Sequence, residues 1–466
     1  MSIIRKIKDY YKKQNSKKNI LFTTPSHAQG SFISPVAREM LGEKFFGCDF
    51  SEIEGFDNLR NPEGILKELQ EKLSKIYHSK QTFMLTNGST SGIIALMLSV
   101  IHQGEKVLIA RNCHISVYNG LVLTGAKPVW FVPEFDEEWG IYKGVTAEEI
   151  DKALTQNKDI KALIITSPTY EGTFSDIAGI SKICKNNGII LIVDEAHGAL
   201  LNFANLGAKP AILDGADASV QSLHKTAGAP NPCALIHLSE NSKIKANDVQ
   251  KSLNLINTTS PSYPLMLAIE SCVDFLASNG GKSEIESLLK NIESLKKSAH
   301  DNISFYEKGN DKTKLLVRIE NVSGYDACEV LNKKYFIEEE FSNDRAMLFV
   351  TGLGTTKEAL DRLAKALNTI KENNDSSHAK IKFEYTVPEQ KMTPREASFS
   401  KDTVTLTSKS AAGRISAEVV AAYPPGIPLI LPGETITEDI LKKANVLAQK
   451  TEFNVISDNN HFLCNE

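Results

Sequence analysis

The chain lacks the features that mark several large classes of protein. No run approaches the roughly 20 apolar residues a membrane-spanning helix needs, and no secretory apolar segment follows the basic start MSIIRKIKDYYKKQNSKKN. The seven cysteines (48, 113, 184, 233, 272, 328 and 464) are odd in number, scattered and never spaced C-x-x-C. That argues against a disulfide framework and a structural zinc site. H-E-x-x-H is missing and the histidines do not cluster at ligand spacing, so no metal is expected. Neither sign of charge dominates: 53 basic and 57 acidic residues leave a net charge of −4, with no general attraction for nucleic acid. No solenoid-length repeat is present. What remains is an ordinary cytoplasmic globular protein, whose 466 residues suffice for several domains. The basic start reads as an amphipathic arm packing on the body or on a partner subunit, because Asp9 and the Tyr10-Tyr11 pair fit a transit peptide poorly.

From about residue 82 short β-rich runs alternate with helix-length segments. The strand candidates are Lys106–Ala110, Pro128–Val132, Ala162–Thr166, Ile189–Asp194, Ala218–Ser222 and Cys233–Leu238, with Ile177–Asn187 among the helical stretches. Continuously apolar strands imply a sheet covered on both faces, and the alternation implies an α/β fold with a mostly parallel sheet. Ligands of such sheets bind beyond the carboxyl ends of the strands. After about residue 285 the pattern changes to a smaller α+β unit. The expected division is an N-terminal arm (1–35), a large domain (36–285), a small domain (286–372) and a C-terminal domain (373–466). KENNDSSHAK (371–380) reads as a polar linker, and the proline-rich AYPPGIPLILPGE reads as a shaped loop.

Two motifs mislead. DEAH at 194–197 spells a helicase box, but no G-x-x-x-x-G-K-[S/T] loop lies upstream. GLGTTKEA at 352–359 lacks the third glycine of a dinucleotide fingerprint. Three other features reinforce one another. NGSTSG at 87–92 places Ser89 and Thr90 at a helix start, where free N–H groups and the helix dipole favour phosphate. Asp194 follows an apolar strand, and Lys225 follows another within Ser-x-His-Lys, 31 residues later. Taken singly, each has a commoner explanation: a cap, an ion pair or a solvated lysine. Taken in this order, they form the layout that holds pyridoxal 5′-phosphate, with the lysine as Schiff-base partner and the acid keeping the pyridine nitrogen protonated.

The sequence resembles the ornithine/lysine/arginine decarboxylase family of fold-type-I pyridoxal-phosphate enzymes, in its short bacterial form. The matching blocks are TPSHAQG (24–30), FDNLRNPEGIL (56–66), TNGSTSG (86–92), RNCHISVYN (111–119), SPTYEGTFSDI (167–177), VDEAHGA (193–199), SLHK (222–225), TTSPSY (258–263), MTPREA (392–397) and GRISAEVVAAYPPGIPLILPGE (413–434). The resemblance implies a fold-type-I large domain with smaller C-terminal domains and decarboxylation of arginine, lysine or ornithine to a polyamine precursor. It makes Lys225 the cofactor-linked lysine and Asp194 the pyridinium partner. His114 stacks on one ring face, Ala196 lies against the other, and His197 stands beside the cofactor. Ser89, Thr90, Ser222 and His224 bind the phosphate. Thr258 comes from the neighbouring subunit, which implies a homodimer or larger. Tyr423 and Glu434 fall in the carboxy-terminal motif near the entrance. Glu171 and Glu434 are the acids considered for the substrate's distal cation, although either alone also reads as structural. The family pattern is broken at Ser26, Ala28, Leu223, Pro230 and Pro232, which leaves substrate choice open. Another pyridoxal-phosphate reaction (aminotransferase, aldolase or lyase) stands as the alternative, and a non-catalytic scaffold as a third reading.

Overall fold

Seven strands form the central sheet of the computed structural model, which describes residues 2–14, 20–370, 387–422 and 427–457. In chain order they are β1 (Gln81–Leu85), β2 (Lys106–Ala110), β3 (Lys127–Phe131), β4 (Ile160–Thr166), β5 (Ile190–Asp194), β6 (Ala218–Ser222) and β7 (Ala234–Leu238). Their spatial order is β1-β7-β6-β5-β4-β2-β3. β3, β2, β4, β5 and β6 pair in parallel, while β7 runs antiparallel to both β6 and β1. Residues 223–233 account for that reversal: they hold only a helical turn, Leu223–Thr226, and a short loop. A parallel crossover takes a dozen residues or more, so the chain must double back.

Successive strand residues feed opposite cores, as a doubly covered sheet requires. Val107, Ile109, Ile164, Ile192 and Val220 enter one cluster with helix Gly88–Val100 and helix Ile115–Thr124. Leu108, Leu163, Ile165, Leu191 and Val193 enter the other with helix Ile177–Asn186. Gly92 lets its helix sit tightly on the sheet: a Cβ there would lie 2.7 Å from Leu85 Cδ1 and 2.8 Å from Val220 Cγ1. The N-terminal helix Ile3–Gln14 buries Ile3 and Ile7 in a third core, and the Ile4 N–H donates to Glu270 at 3.2 Å. The arm therefore packs on the body of its own chain.

Helix Asn279–Ser298 runs past residue 285 without a break, giving Ile285 to that third core and Leu288, Ile292 and Leu295 to the next. The next core lies under a four-stranded sheet of β8 (Ile303–Phe305), β9 (Lys314–Ile319), β10 (Phe341–Ser342) and β11 (Met347–Val350), ordered β8-β9-β11-β10. Beyond it, β12 (Thr403–Thr407), β13 (Val420–Ala422), β14 (Ile427–Ile430) and β15 (Glu452–Ile456) form two antiparallel pairs, β12 with β15 and β13 with β14. The stretch expected as a shaped proline-rich loop is thus partly regular. Pro428 is tolerated because a two-stranded ribbon leaves one edge of each strand without ladder partners. The expected linker at 371–380 and Tyr423 lie outside the described residues. Among the described residues, no helix is long and apolar enough to cross a membrane.

Candidate active site

The carboxyl ends of the parallel strands bring the expected residues together. Asp194 closes β5, Ser222 closes β6, and Lys225 sits one helical turn further on. His114 follows β2 as the N-cap of helix Ile115–Thr124, its Nδ1 accepting from the Ser116 N–H at 3.2 Å. Ser89 lies in the first turn of helix Gly88–Val100, and the Ser222 hydroxyl donates to its hydroxyl at 2.9 Å. Two phosphate-binding candidates from separate blocks therefore meet directly, with Thr90 next to them in sequence. Ala196 donates its N–H to Asp194 Oδ1 at 3.1 Å, fixing the buried carboxylate. The His224 Nδ1–H donates to the Cys233 carbonyl at 3.1 Å, which leaves Nε2 for other partners.

Lys225 Nζ lies 3.0 Å from His197 Nε2. Burial lowers the lysine's pKa, against the pull of Asp194 and Glu340. Burial, followed by Lys314 and Lys225, drives the His197 pKa well below 6.5, so that ring is neutral. The His114 side chain is solvent-exposed, yet the atoms around its ring lower its pKa through desolvation, opposed by Asp194 and assisted by Lys225.

Thr258 stands apart. It is exposed, bonds only locally to Ser260, and borders a shallow open recess with Arg60, Thr86 and Asn254, where none of the other expected cofactor residues appears. Glu434 requires a correction as a candidate for the distal cation. It is completely buried, and both its oxygens are taken by the Arg111 guanidinium at 2.8 Å, with the Leu431 N–H donating at 2.8 Å as well. Its role is to join the last sequence block to the end of β2. Glu171 is also buried, with its carboxyl pushed up by desolvation. Two of the departures have packing reasons. Leu223 is fully buried among Met84, Leu235 and Met266, where a threonine hydroxyl would need a partner. Pro232 lies against Gly88, its Cβ 3.5 Å from where a glycine Cβ would stand.

The structure adds four residues that sequence reasoning missed. Lys314, at the start of β9, is 2% exposed and its Nζ lies 2.7 Å from His197 Nδ1. Tyr170 meets the His197 ring edge to face at 5.4 Å and donates its hydroxyl to Glu340 at 2.7 Å. Gly172 (φ +109°) makes room for Lys314, since a Cβ would lie 2.7 Å from the lysine Cγ. Nothing local marks Lys314 or Glu340 in the sequence; Tyr170 at least lies inside a matching block.

A depressed lysine and a buried carboxylate stand at adjacent strand ends, beside two hydroxyls at a helix start, a concentration of perturbed and anion-binding groups that makes this the candidate active site. The chain belongs to the Orn/Lys/Arg decarboxylase family: the major-domain model matches residues 6–318 and the C-terminal-domain model residues 377–454. It is 31% identical to an arginine decarboxylase of Halalkalibacterium halodurans over 442 residues, 91% of this chain and 89% of that protein. An arginine decarboxylase of Bacillus subtilis is 32% identical over 92% of this chain and 90% of its own length. Among solved structures, the constitutive lysine decarboxylase of E. coli superposes with a TM-score of 0.80 at 18% identity, covering 97% of this chain and 82% of that one, and so shares its fold. The protein is a decarboxylase of a basic amino acid, and its family and fold imply dependence on pyridoxal 5′-phosphate.

Proposed function

We propose that the substrate is arginine, that the product is its polyamine-precursor amine, and that the enzyme works as a cytoplasmic homodimer. The relatives named arginine decarboxylase, matched over about nine-tenths of this chain, favour arginine among the basic amino acids. The observation that carries the catalytic reading is Lys225, its amine held against a neutral imidazole with Asp194 exerting the strongest attraction on its charge.

The residues present fit the cofactor. Ser89, Thr90, Ser222 and His224 would hold its phosphate, Asp194 its ring nitrogen and Lys225 its aldehyde carbon, with His114 and Ala196 on either side of the ring and His197 beside it. When bound, pyridoxal phosphate supplies the carbonyl that captures the substrate amine and the ring that accepts the electron pair as CO₂ leaves. The protein does the rest. Asp194 supplies a fixed negative charge where positive charge must persist. The covering residues orient the Cα–carboxylate bond and limit the entry of water. Lys225, with an amine that sheds its proton readily, is the group suited to move protons at Cα. Thr258, exposed in the single chain, would complete the phosphate site of a second copy. A dimer would also cover the apolar side chains the N-terminal segment leaves open, notably Phe22 (95% exposed), Phe32 (82%) and Met40 (76%).

Incubating cofactor-loaded protein with arginine, lysine and ornithine separately, while measuring CO₂ and the amine formed, tests this reading. Agmatine and CO₂ from arginine are expected. Release of keto acid without CO₂, or faster turnover of lysine or ornithine, overturns it.

A further inference from the structure

None of the four residues expected to bind the cofactor phosphate carries a permanent charge. Ser89, Thr90 and Ser222 offer hydroxyls. Burial lowers the His224 pKa against its bond to the Cys233 carbonyl, with Lys225 assisting, so that ring is neutral at pH 7. A phosphate monoester carries about −1.5 to −2 charges at that pH. Hydroxyls and a helix start satisfy its lone pairs but leave most of that charge unanswered. Arg60 is the opposite case. It is half-buried, and among the described residues no acid pairs with it. Its guanidinium donates to the Asn254 carbonyl at 2.8 Å, Asn254 Nδ2 donates back to the Arg60 carbonyl at 2.9 Å, and the Arg60 N–H donates to Asn58 Oδ1 at 2.7 Å. These bonds fix the residue against the last turn of helix Ala246–Ile256. Capping that helix end takes one of the five guanidinium N–H donors and leaves the others available.

We propose that Arg60 is a phosphate ligand in trans: beside Thr258, it presents its guanidinium to the cofactor phosphate held in the cradle of a second copy. Arg60 and Thr258 line one recess, and Thr86, just ahead of the NGSTSG cradle, lines it too. None of the chain's own four phosphate residues borders that recess, so its guanidinium serves a phosphate brought by another chain. The recess is shallow and open, which suits covering one end of a group held elsewhere rather than enclosing a whole ligand. The charges are complementary: an anion without a cation in the cradle, a cation without an anion in the recess. Cofactor binding and pairing of the chains are then linked, because the phosphate site is complete only when two copies meet.

The inference rests on the proposed function in taking Lys225 as the cofactor-bearing residue and Thr258 as reaching a second copy. Its test is a binding curve on the full-length chain. Pyridoxal 5′-phosphate and pyridoxal, the same aldehyde without the phosphate, are trapped on Lys225 with borohydride at a series of concentrations, and the Lys225 peptide is read by mass spectrometry. Arg60→Gln keeps an amide donor for the Asn254 carbonyl and removes the charge; Arg60→Met is the second neutral variant, and chemical unfolding without cofactor checks that each is folded. Either should weaken trapping of pyridoxal phosphate about tenfold and leave pyridoxal unchanged, and Arg60→Lys should restore most of the loss. An unchanged curve, or an equal loss for both aldehydes, overturns the proposal. Mixed dimers show which chain supplies the group. With Lys225→Ala in one copy, only the other copy can be trapped. Arg60→Gln should weaken trapping when it is placed in the Lys225→Ala copy and have no effect in the trapped copy; the reverse overturns the assignment in trans. Failure of the wild type to trap any cofactor on Lys225 would overturn the catalytic reading itself, whereas trapping indifferent to Arg60 overturns this inference alone.

Discussion

Two of the buried charge groups among the described residues are built on opposite plans. Arg111 and Glu434 form a closed pair: two parallel N–H···O bonds of 2.8 Å, a third from Leu431, and the guanidinium 4.9 Å from the Trp130 ring centroid. Lys225, His197 and Lys314 form an open group, with amine facing amine across an imidazole and the acids at the periphery. Burial acts on both. It pushes the Glu434 carboxyl up even though Arg111 opposes it, and it pulls both lysines down. The difference lies in what compensates. In the pair, charge is answered by charge, so it can serve structure. In the triad the cheapest response is to release a proton, which is what a catalytic amine requires.

The comparison can be broken most severely at Lys225. Lys225→Ala should eliminate borohydride-trapped cofactor and bring CO₂ release down to background, while thermal unfolding shows a fold retained; near-normal turnover would remove the residue from the chemistry. Next comes the pair. Glu434→Gln leaves a buried guanidinium without its counter-charge and should cost about 3–5 kcal/mol in urea unfolding. The double change Arg111→Met with Glu434→Leu should recover most of that loss, which it would not do if the loss came from anything other than the unpaired buried charge. The smallest effect is the pH response of the triad. Lys314 titrates at about 8 in the fold against 10.5 for a free lysine. A depressed lysine contributes stability that is present above 10.5 and lost as pH falls through 8, about 3 kcal/mol in all. Wild type should therefore lose stability over that window relative to Lys314→Met, as followed by chemical unfolding at each pH.

The six strand candidates of the large sheet all appear, with ends within two residues of their expected positions, because uninterrupted apolar runs between polar breaks leave little choice of register. Gln81–Leu85 is absent from them: it is short, opens on polar Gln81 and Thr82, and only Thr86 and Asn87 separate it from the helix start. Asp194 and Lys225 were legible as charged groups ending apolar strands, a placement that asks for a partner. Lys314 was not. It opens the run KLLVRIEN, where a lysine at a strand edge is ordinary, and the contact that gives it meaning is 117 residues away. Glu434 shows the reverse: its sequence block was evident, but only the fold reveals that its carboxylate is already spoken for by Arg111.

That last contact limits how the protein can be rebuilt. Any chimaera that transplants the terminal module from a relative must bring an acid to meet Arg111 or replace the arginine as well, since that arginine stands two residues from Cys113 and three from His114. Exchanging modules in this scaffold is therefore a matter of moving matched halves of one lock.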